Sequence, residues 1–126
     1  MSLLEGRSGR VFAYSQPVDM RKGFNGLEAI ILQGMGEDPL SGDTFFFLNR
    51  RGQLLKCFLW DRTGYVIISK RLEQGRLKCG RQADKIELDA RRLKLLFDGI
   101  GVAGFSRSGR NVPKHGPSNS RTKNDA

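Results

Sequence analysis

Three runs of apolar residues, separated by short polar links, occupy the middle of the chain. Each link has four residues, begins with Asn or Asp and ends with Gly, as in NRRG at 49–52 and DRTG at 61–64. This composition is typical of a type I turn closed by a left-handed glycine, so Gly52 and Gly64 are the predicted bulge positions. The pattern predicts an antiparallel meander with strands at 44–49, 53–60 and 65–72.

The segment before the meander has the pattern of one strand followed by one helix. Residues 11–15, VFAYS, predict the strand, and Asp19 is a suitable cap for the first turn of the helix. Apolar residues then recur at spacings of three and four until Gly34 and Gly36. The apolar stripe of this predicted helix consists of Phe24, Leu27, Ile30, Ile31 and Met35.

The segment after the meander predicts a short edge strand at 85–88 and a second helix capped by Asp89 and ended by Gly99 and Gly101. The apolar face of that helix consists of Leu93, Leu96, Phe97 and Ile100. The predicted fold class is α+β, an antiparallel β-meander packed with two helices. We expect one domain over residues 1–104 and a basic flexible tail over residues 105–126, because the tail has almost nothing to bury.

Both faces of the predicted meander are apolar, so both need a cover. One face collects most of the aromatic residues. Such a face stacks nucleotide bases in some single-strand binders, but dense aromatic residues are more typical of a core under helices or of a dimer interface. Trp60 and Tyr65, opposite each other beside the second turn, are the candidates for stacking on bases.

The chain carries a formal net charge of +9, and the excess is concentrated in two segments. Residues 50–81 hold nine basic and two acidic residues, and residues 105–126 hold five and one. Residues 1–49 have two more acidic than basic residues, and residues 82–104 are balanced. This distribution indicates two basic surfaces and an anionic partner such as nucleic acid.

The basic residues of the middle segment are expected to meet at one end of the meander. Consecutive turns of a meander lie at opposite ends of the sheet, so the third strand returns to the first turn. Lys70 and Arg71 should therefore converge with Arg50 and Arg51. Acidic neighbours are scarce here, and phosphates suit the forked donors of arginine.

Two further cations are predicted in the first turn of the first helix. Arg21 and Lys22 would be unfavourable there unless an anion docks at the helix N-terminus, or unless both extend into solvent or pair with Asp19 or Glu28. The full set of candidate nucleic-acid-binding residues is Arg21, Lys22, Arg50, Arg51, Lys56, Lys70, Arg71, Arg76 and Lys78.

Residues suited to metal binding are few. Cys57 and Cys79 are 22 positions apart and, even with His115, the only histidine, they fall short of four zinc ligands. We therefore expect no metal site and no cofactor. No apolar run approaches the roughly 20 residues of a membrane-spanning helix, and the N-terminus lacks the pattern of a secretory signal. A cytoplasmic, nucleoid-associated protein without a membrane partner is expected.

Several motifs resemble those of a known family. They are DMRKGF at 19–24, DPLSG at 38–42, NRRG at 49–52, WD at 60–61 and KRLEQGR at 70–76. In this order they resemble the small accessory proteins, called TnpB or Orf2, of bacterial insertion-sequence-66 transposable elements. The resemblance covers roughly residues 9–101 and departs from the family pattern at Asn25 and at residues 77–79.

The resemblance implies a role in DNA transposition beside a separate transposase, with no catalytic residues to carry over. The leading hypothesis is a non-catalytic accessory protein that binds DNA, at the element ends, through the basic patch. One alternative is an adaptor that binds the transposase of the same element or a second copy of itself. A metal-dependent nuclease or strand-transfer enzyme is the weaker alternative, with carboxylates from Asp19, Asp38, Asp43 and Asp61. The sequence leaves single-stranded DNA, duplex DNA and RNA open as ligands.

Overall fold

The structure, a computed structural model, describes residues 9–80, 83–102 and 104–109. Its described strands are β1 (Val11–Tyr14), β2 (Thr44–Leu48), β3 (Leu54–Trp60), β4 (Tyr65–Arg71), β5 (Arg76–Cys79), β6 (Lys85–Leu88) and β7 (Phe105–Ser108). Five of these strands form one sheet in the order β4-β3-β2-β1-β6, and β5 pairs with β7 in a separate ribbon. Together with two helices, this arrangement confirms the predicted α+β class.

The predicted meander is present as β2, β3 and β4. All its pairs are antiparallel, with Phe45 opposite Phe58 and Trp60 opposite Tyr65. The predicted strand at 85–88 lies at the sheet edge as β6, antiparallel to β1. The sheet is nevertheless mixed, because β1 pairs in parallel with β2 after a long helical connection.

The first helix begins later than the sequence predicts. Helix α1 spans Phe24–Ala29 and continues as a π-helical segment over Ile30–Gly34, in which the Met35 amide donates to the carbonyl of Ile30 at 3.0 Å. The prediction that Asp19 caps this helix is wrong. The Asp19 carboxylate instead accepts from the Arg21 amide at 2.9 Å. A short polar side chain that bonds the backbone two residues on favours a turn over a helix.

Helix α1 covers the aromatic face of the sheet. Leu27, Ile31 and Met35 are buried there against the rings of β1, β2 and β3. Phe24, predicted to belong to the same stripe, is 48% exposed, because the helix only starts at that residue. The aromatic residues Phe45, Phe47 and Phe58 are fully buried, so this face is core.

Helix α2 (Ala90–Phe97) and the β5–β7 ribbon cover the opposite face. Asp89 caps α2 as predicted, with its carboxylate accepting from the Arg92 amide at 2.7 Å. Gly99 ends the helix at φ +82°, and the amides of Gly99 and Ile100 donate to the carbonyls of Leu96 and Leu95. This is the Schellman arrangement that a glycine favours at a helix end.

The ribbon extends past the domain boundary predicted at residue 104. Phe105 of β7 is buried, and its ring meets that of Phe46 edge-on with centroids 5.6 Å apart. The sequence missed β7 because an isolated phenylalanine among polar residues gives no periodic pattern. The rest of the predicted tail, residues 110–126, lies outside the described residues.

Candidate nucleic-acid interface

The first turn of the meander is held by one side chain. The Oδ1 atom of Asn49 accepts from the amides of Gly52, Gln53 and Leu54 at 2.9, 3.1 and 3.0 Å. Gly52 takes φ +79°, as its position in the pattern predicts. Arg50 and Arg51 lie between these two residues and are exposed, so the turn presents two guanidinium groups to solvent.

Strand β5 docks against this turn. The Leu77 amide donates to the Gly52 carbonyl at 2.9 Å, and Leu77 itself is buried. Side chains alternate along a strand, so Arg76 and Lys78 share the outer face of the ribbon, and both are exposed. Two pairs of cations that are distant in sequence are thus brought together.

We call Arg50, Arg51, Arg76 and Lys78 the basic end. None of the four forms an ion pair with another described residue. Like charges held close together repel one another unless a counter-charge is present, and phosphate oxygens supply such a charge. The electrostatics of the basic end therefore suit an extended anion.

A cleft of about 170 Å³ opens at the basic end. Three segments line it: residues 15–17 after β1, residues 48–50 at the start of the first turn, and residues 77–79 of β5. Arg50 and Lys78 lie on its wall. Gln16 is a wall residue that the sequence did not indicate, because no local pattern links the end of β1 to β5.

Lys70 and Arg71 lie at the same end of the sheet, since they pair with Leu55 and Leu54 beside the first turn. Both have other partners. The Lys70 ammonium donates to the carbonyl of Phe97 at 2.6 Å, at the C-terminus of α2, and Arg71 bonds Glu73 at 2.8 Å. The predicted convergence is present, but these two cations are already engaged.

Lys56 has a structural position under the loop that precedes α1. Its ammonium donates to the carbonyls of Met20 and Lys22 at 2.9 and 3.0 Å. Two orphan carbonyls are satisfied in this way, which ties the loop to β3. An anion would have to compete with both contacts for this ammonium.

Arg21 and Lys22 do not lie in a helical turn, so that prediction is wrong. Both precede Gly23, which is the N-cap residue of α1. Arg21 pairs with Asp19 at 2.7 Å, and its guanidinium lowers the pKa of the Asp19 carboxyl to about 2. Pairing with Asp19 is one of the alternatives to anion docking that the sequence leaves open for Arg21. Lys22 is exposed.

Trp60 and Tyr65 lie at the other end of the meander. Their rings meet edge-on with centroids 5.4 Å apart, and both residues are half-buried. The Tyr65 hydroxyl donates to Glu28 of α1 at 2.5 Å, and this bond raises the pKa of Tyr65 to about 12. Tyr65 therefore tethers α1 to the sheet, whereas Trp60 remains a candidate for stacking on bases.

The four candidate carboxylates lie in separate local contacts. Asp19 bonds Arg21, Asp38 accepts from the Leu40 amide at 2.9 Å, and Asp43 is buried against Arg10. Asp61 holds the second turn. Within residues 9–80, 83–102 and 104–109, no three Asp, Glu, His or Cys side chains are grouped so as to hold a metal ion.

The fold and the basic end define a small α+β protein with an exposed, positively charged surface built from a turn and a ribbon. A model of the family described as IS66 Orf2-like protein matches residues 9–107, and the chain belongs to this family. Membership associates the protein with an accessory role in the transposition of these insertion sequences. The accessory proteins of this family are generally non-catalytic.

Two proteins of Sinorhizobium fredii are similar to the chain. It is 40% identical to uncharacterized protein y4jC over 70 residues, which is 56% of this chain and 60% of that protein. It is 32% identical to uncharacterized protein y4hO over 99 residues, or 78% of this chain and 86% of that protein. No solved structure matches the chain. Among the described residues, no helix has the length and apolar character needed to span a membrane.

Proposed function

We propose that the protein is a non-catalytic accessory factor of transposition that binds DNA of its element through the basic end. The observation that carries this proposal is the docking of β5 on the first turn. It joins Arg50 and Arg51 to Arg76 and Lys78, with no acidic side chain paired to them among the described residues.

The other candidate cations contribute less in this proposal. Lys56 and Lys70 hold backbone carbonyls, and Arg21 and Arg71 are paired with acids. Lys22 is exposed and belongs to the loop before α1, not to the turn that β5 contacts. Bound to its element, the protein would act in the nucleoid.

The test is a fluorescence anisotropy titration of labelled element-end DNA and of scrambled DNA across a salt series. Binding to duplex should weaken with salt by about 0.9 log units per log unit for each phosphate neutralised. An Arg50→Gln/Arg51→Gln variant should bind more weakly, with a salt slope shallower by up to about 1.8.

The matched control is an Arg62→Gln/Arg91→Gln variant. Both residues are exposed and lie away from the first turn, in the second turn and on α2. The control removes the same charge outside the basic end, so it should retain most of the affinity for DNA and most of the salt slope. Equal losses of DNA affinity in the two variants would mean that binding depends only on net charge. The basic end would then be rejected as the interface.

The second candidate function is that of an adaptor for the transposase or for a second copy of the chain. Four large apolar side chains on the described surface are about half-exposed: Phe24 48%, Leu32 52%, Leu40 52% and Ile100 45%. Phe24 and Leu32 belong to the helical segment that covers the aromatic face. Apolar side chains on the surface mark a protein contact when they form a contiguous patch, and Phe24 and Leu32 of one helical segment are the pair to test.

Light scattering, alone and with the purified transposase, tests the adaptor. A dimer or a complex that a Phe24→Ser/Leu32→Ser variant no longer forms would support this function. A wild-type protein that stays monomeric, does not bind the transposase and still binds DNA would count against the adaptor function.

A further inference from the structure

Three segments of the chain line the cleft at the basic end. Ser15 and Gln16 follow β1, Asn49 and Arg50 begin the first turn, and Lys78 belongs to β5. Its position is fixed by backbone bonds on each side. The Val18 amide donates to the Leu48 carbonyl at 2.9 Å, and the Leu77 amide donates to the Gly52 carbonyl at the same distance.

Pro17 is the exposed apolar side chain of the cleft, because Leu48 and Leu77, which also line it, are only 3% and 2% exposed and belong to the core. The Pro17 ring is able to contact the face of a base. The Oδ1 atom of Asn49 is occupied by three amides, so Asn49 offers a ligand only the two donors of its Nδ2 group. The Ser15 hydroxyl is likewise occupied, since it donates to the Ala83 carbonyl.

Three other polar side chains of the cleft face no such competition: Gln16, Arg50 and Lys78. None of them makes a side-chain hydrogen bond or an ion pair with another described residue. Gln16 offers both an amide donor and a carbonyl acceptor, which suit the edge of a nucleobase. Arg50 and Lys78 offer positive charge, which suits a phosphate.

The size of the cleft restricts what enters it. Its volume of about 170 Å³ is below the range of roughly 300–1,000 Å³ typical of sites for drug-sized ligands. A base inside a duplex is stacked and paired and cannot enter such a cleft, whereas an unpaired base can leave the stack. The cleft therefore suits one nucleotide unit at a time.

We infer that the cleft holds one unpaired nucleotide of a DNA strand, with its phosphate between Arg50 and Lys78 and its base against Pro17 beside Gln16. This inference rests on the proposed DNA binding and refines it. The protein would then prefer DNA that has a single-stranded extension or a frayed end over fully paired DNA. Arg51 and Arg76 would contact the neighbouring phosphates.

The first experiment compares a hairpin duplex that carries a short single-stranded extension with the same hairpin cut blunt. Wild-type protein should bind the extended hairpin several-fold more tightly. Gln16→Ala should lose about fivefold of this affinity, the factor for one neutral hydrogen bond, and should bind the blunt hairpin unchanged. Gln33→Ala, at an exposed glutamine of the π-helical segment, is the matched control and should change neither affinity.

The outcomes separate the two proposals. Equal wild-type affinity for the two hairpins, or an unchanged preference in Gln16→Ala, would overturn the cleft inference while leaving DNA binding in place. Absence of salt-dependent binding to either hairpin would overturn the proposed function itself.

The second experiment uses Cys79, which lines the cleft, as a reporter. Cys57 is completely buried, and burial raises the pKa of its thiol. A maleimide added to the folded protein therefore alkylates Cys79 in preference to Cys57. The extended hairpin should slow the alkylation of Cys79, and the blunt hairpin should slow it less. Equal alkylation rates with both hairpins would place the unpaired strand elsewhere and overturn the inference.

Discussion

The two turns of the meander share one sequence pattern and differ in structure. In the first turn, Asn49–Gly52, the glycine takes the left-handed conformation at φ +79°. In the second, Asp61–Gly64, the left-handed residue is Arg62 at φ +85°, and Gly64 is not left-handed. The prediction that Gly64 is a left-handed bulge is therefore wrong.

The difference follows from what surrounds each turn. Gly52 is buried under β5, where a Cβ atom would lie 2.0 Å from the Leu77 carbonyl oxygen. Gly64 has no atom within 4 Å of its Cβ position, apart from its chain neighbours. The comparison shows that a turn pattern predicts where the chain reverses, whereas packing decides which residue must be glycine.

The largest expected effect of a single substitution is that of Gly52→Ala. A left-handed alanine is strained and its methyl group would collide with the β5 backbone, so we expect a loss of about 2–4 kcal/mol in the free energy of unfolding. Gly64→Ala should change it by less than about 0.5 kcal/mol. Urea denaturation of both variants measures the contrast, and similar losses would contradict the packing explanation.

The next effect concerns the side chains that hold the two turns. Asn49→Ala leaves the amides of Gln53 and Leu54 without their acceptor in a half-buried turn, which should cost about 1–3 kcal/mol of stability. Asp61→Ala removes equivalent bonds at an exposed turn and should cost less. Asn49→Asp keeps a side-chain oxygen as acceptor and serves as the control. If it lowers stability as much as Asn49→Ala does, loss of the acceptor does not explain the destabilisation.

A smaller effect of opposite sign is expected at Arg62. Glycine accepts φ +85° without the steric cost of a side chain, so Arg62→Gly should stabilise the protein by about 0.5–1 kcal/mol. Arg51→Gly, at a position without a positive φ, should give no gain. Thermal unfolding compares the two variants, and equal changes would show that the left-handed residue carries no strain.

The smallest expected effect is a pH dependence of stability at Tyr65, which lies at the end of the meander with the second turn. Because the Tyr65 hydroxyl bonds Glu28, its pKa is raised from 10.0 to about 12. The contribution of this bond to stability is complete below about pH 10 and is lost as the pH rises to about 12. Tyrosinate absorbance, compared with Tyr65→Phe, measures this step, and ionisation of Tyr65 near pH 10 in the folded protein would contradict it.

The positions of the candidate cations were predictable only in part. Strand alternation and turn order correctly bring Lys70 and Arg71 to the end that holds Arg50 and Arg51, because a meander has fixed geometry. The contacts that engage Lys56 and Lys70 join residues 36 and 27 positions apart, so no local pattern reports them. The role of each cation depends on which carbonyl or carboxylate it meets after folding.

The sequence by itself determined the meander, the Asp89 cap, the Gly99 helix end and the concentration of positive charge, because each follows from a local period or a single backbone preference. Only the tertiary structure decided the parallel pairing of β1 with β2, the later start of α1, and the docking of β5 and β7. These features depend on burial between distant segments, as when Phe105 packs against Phe46 or Leu77 against Gly52. The cleft that joins Gln16, Arg50 and Lys78 exists for the same reason.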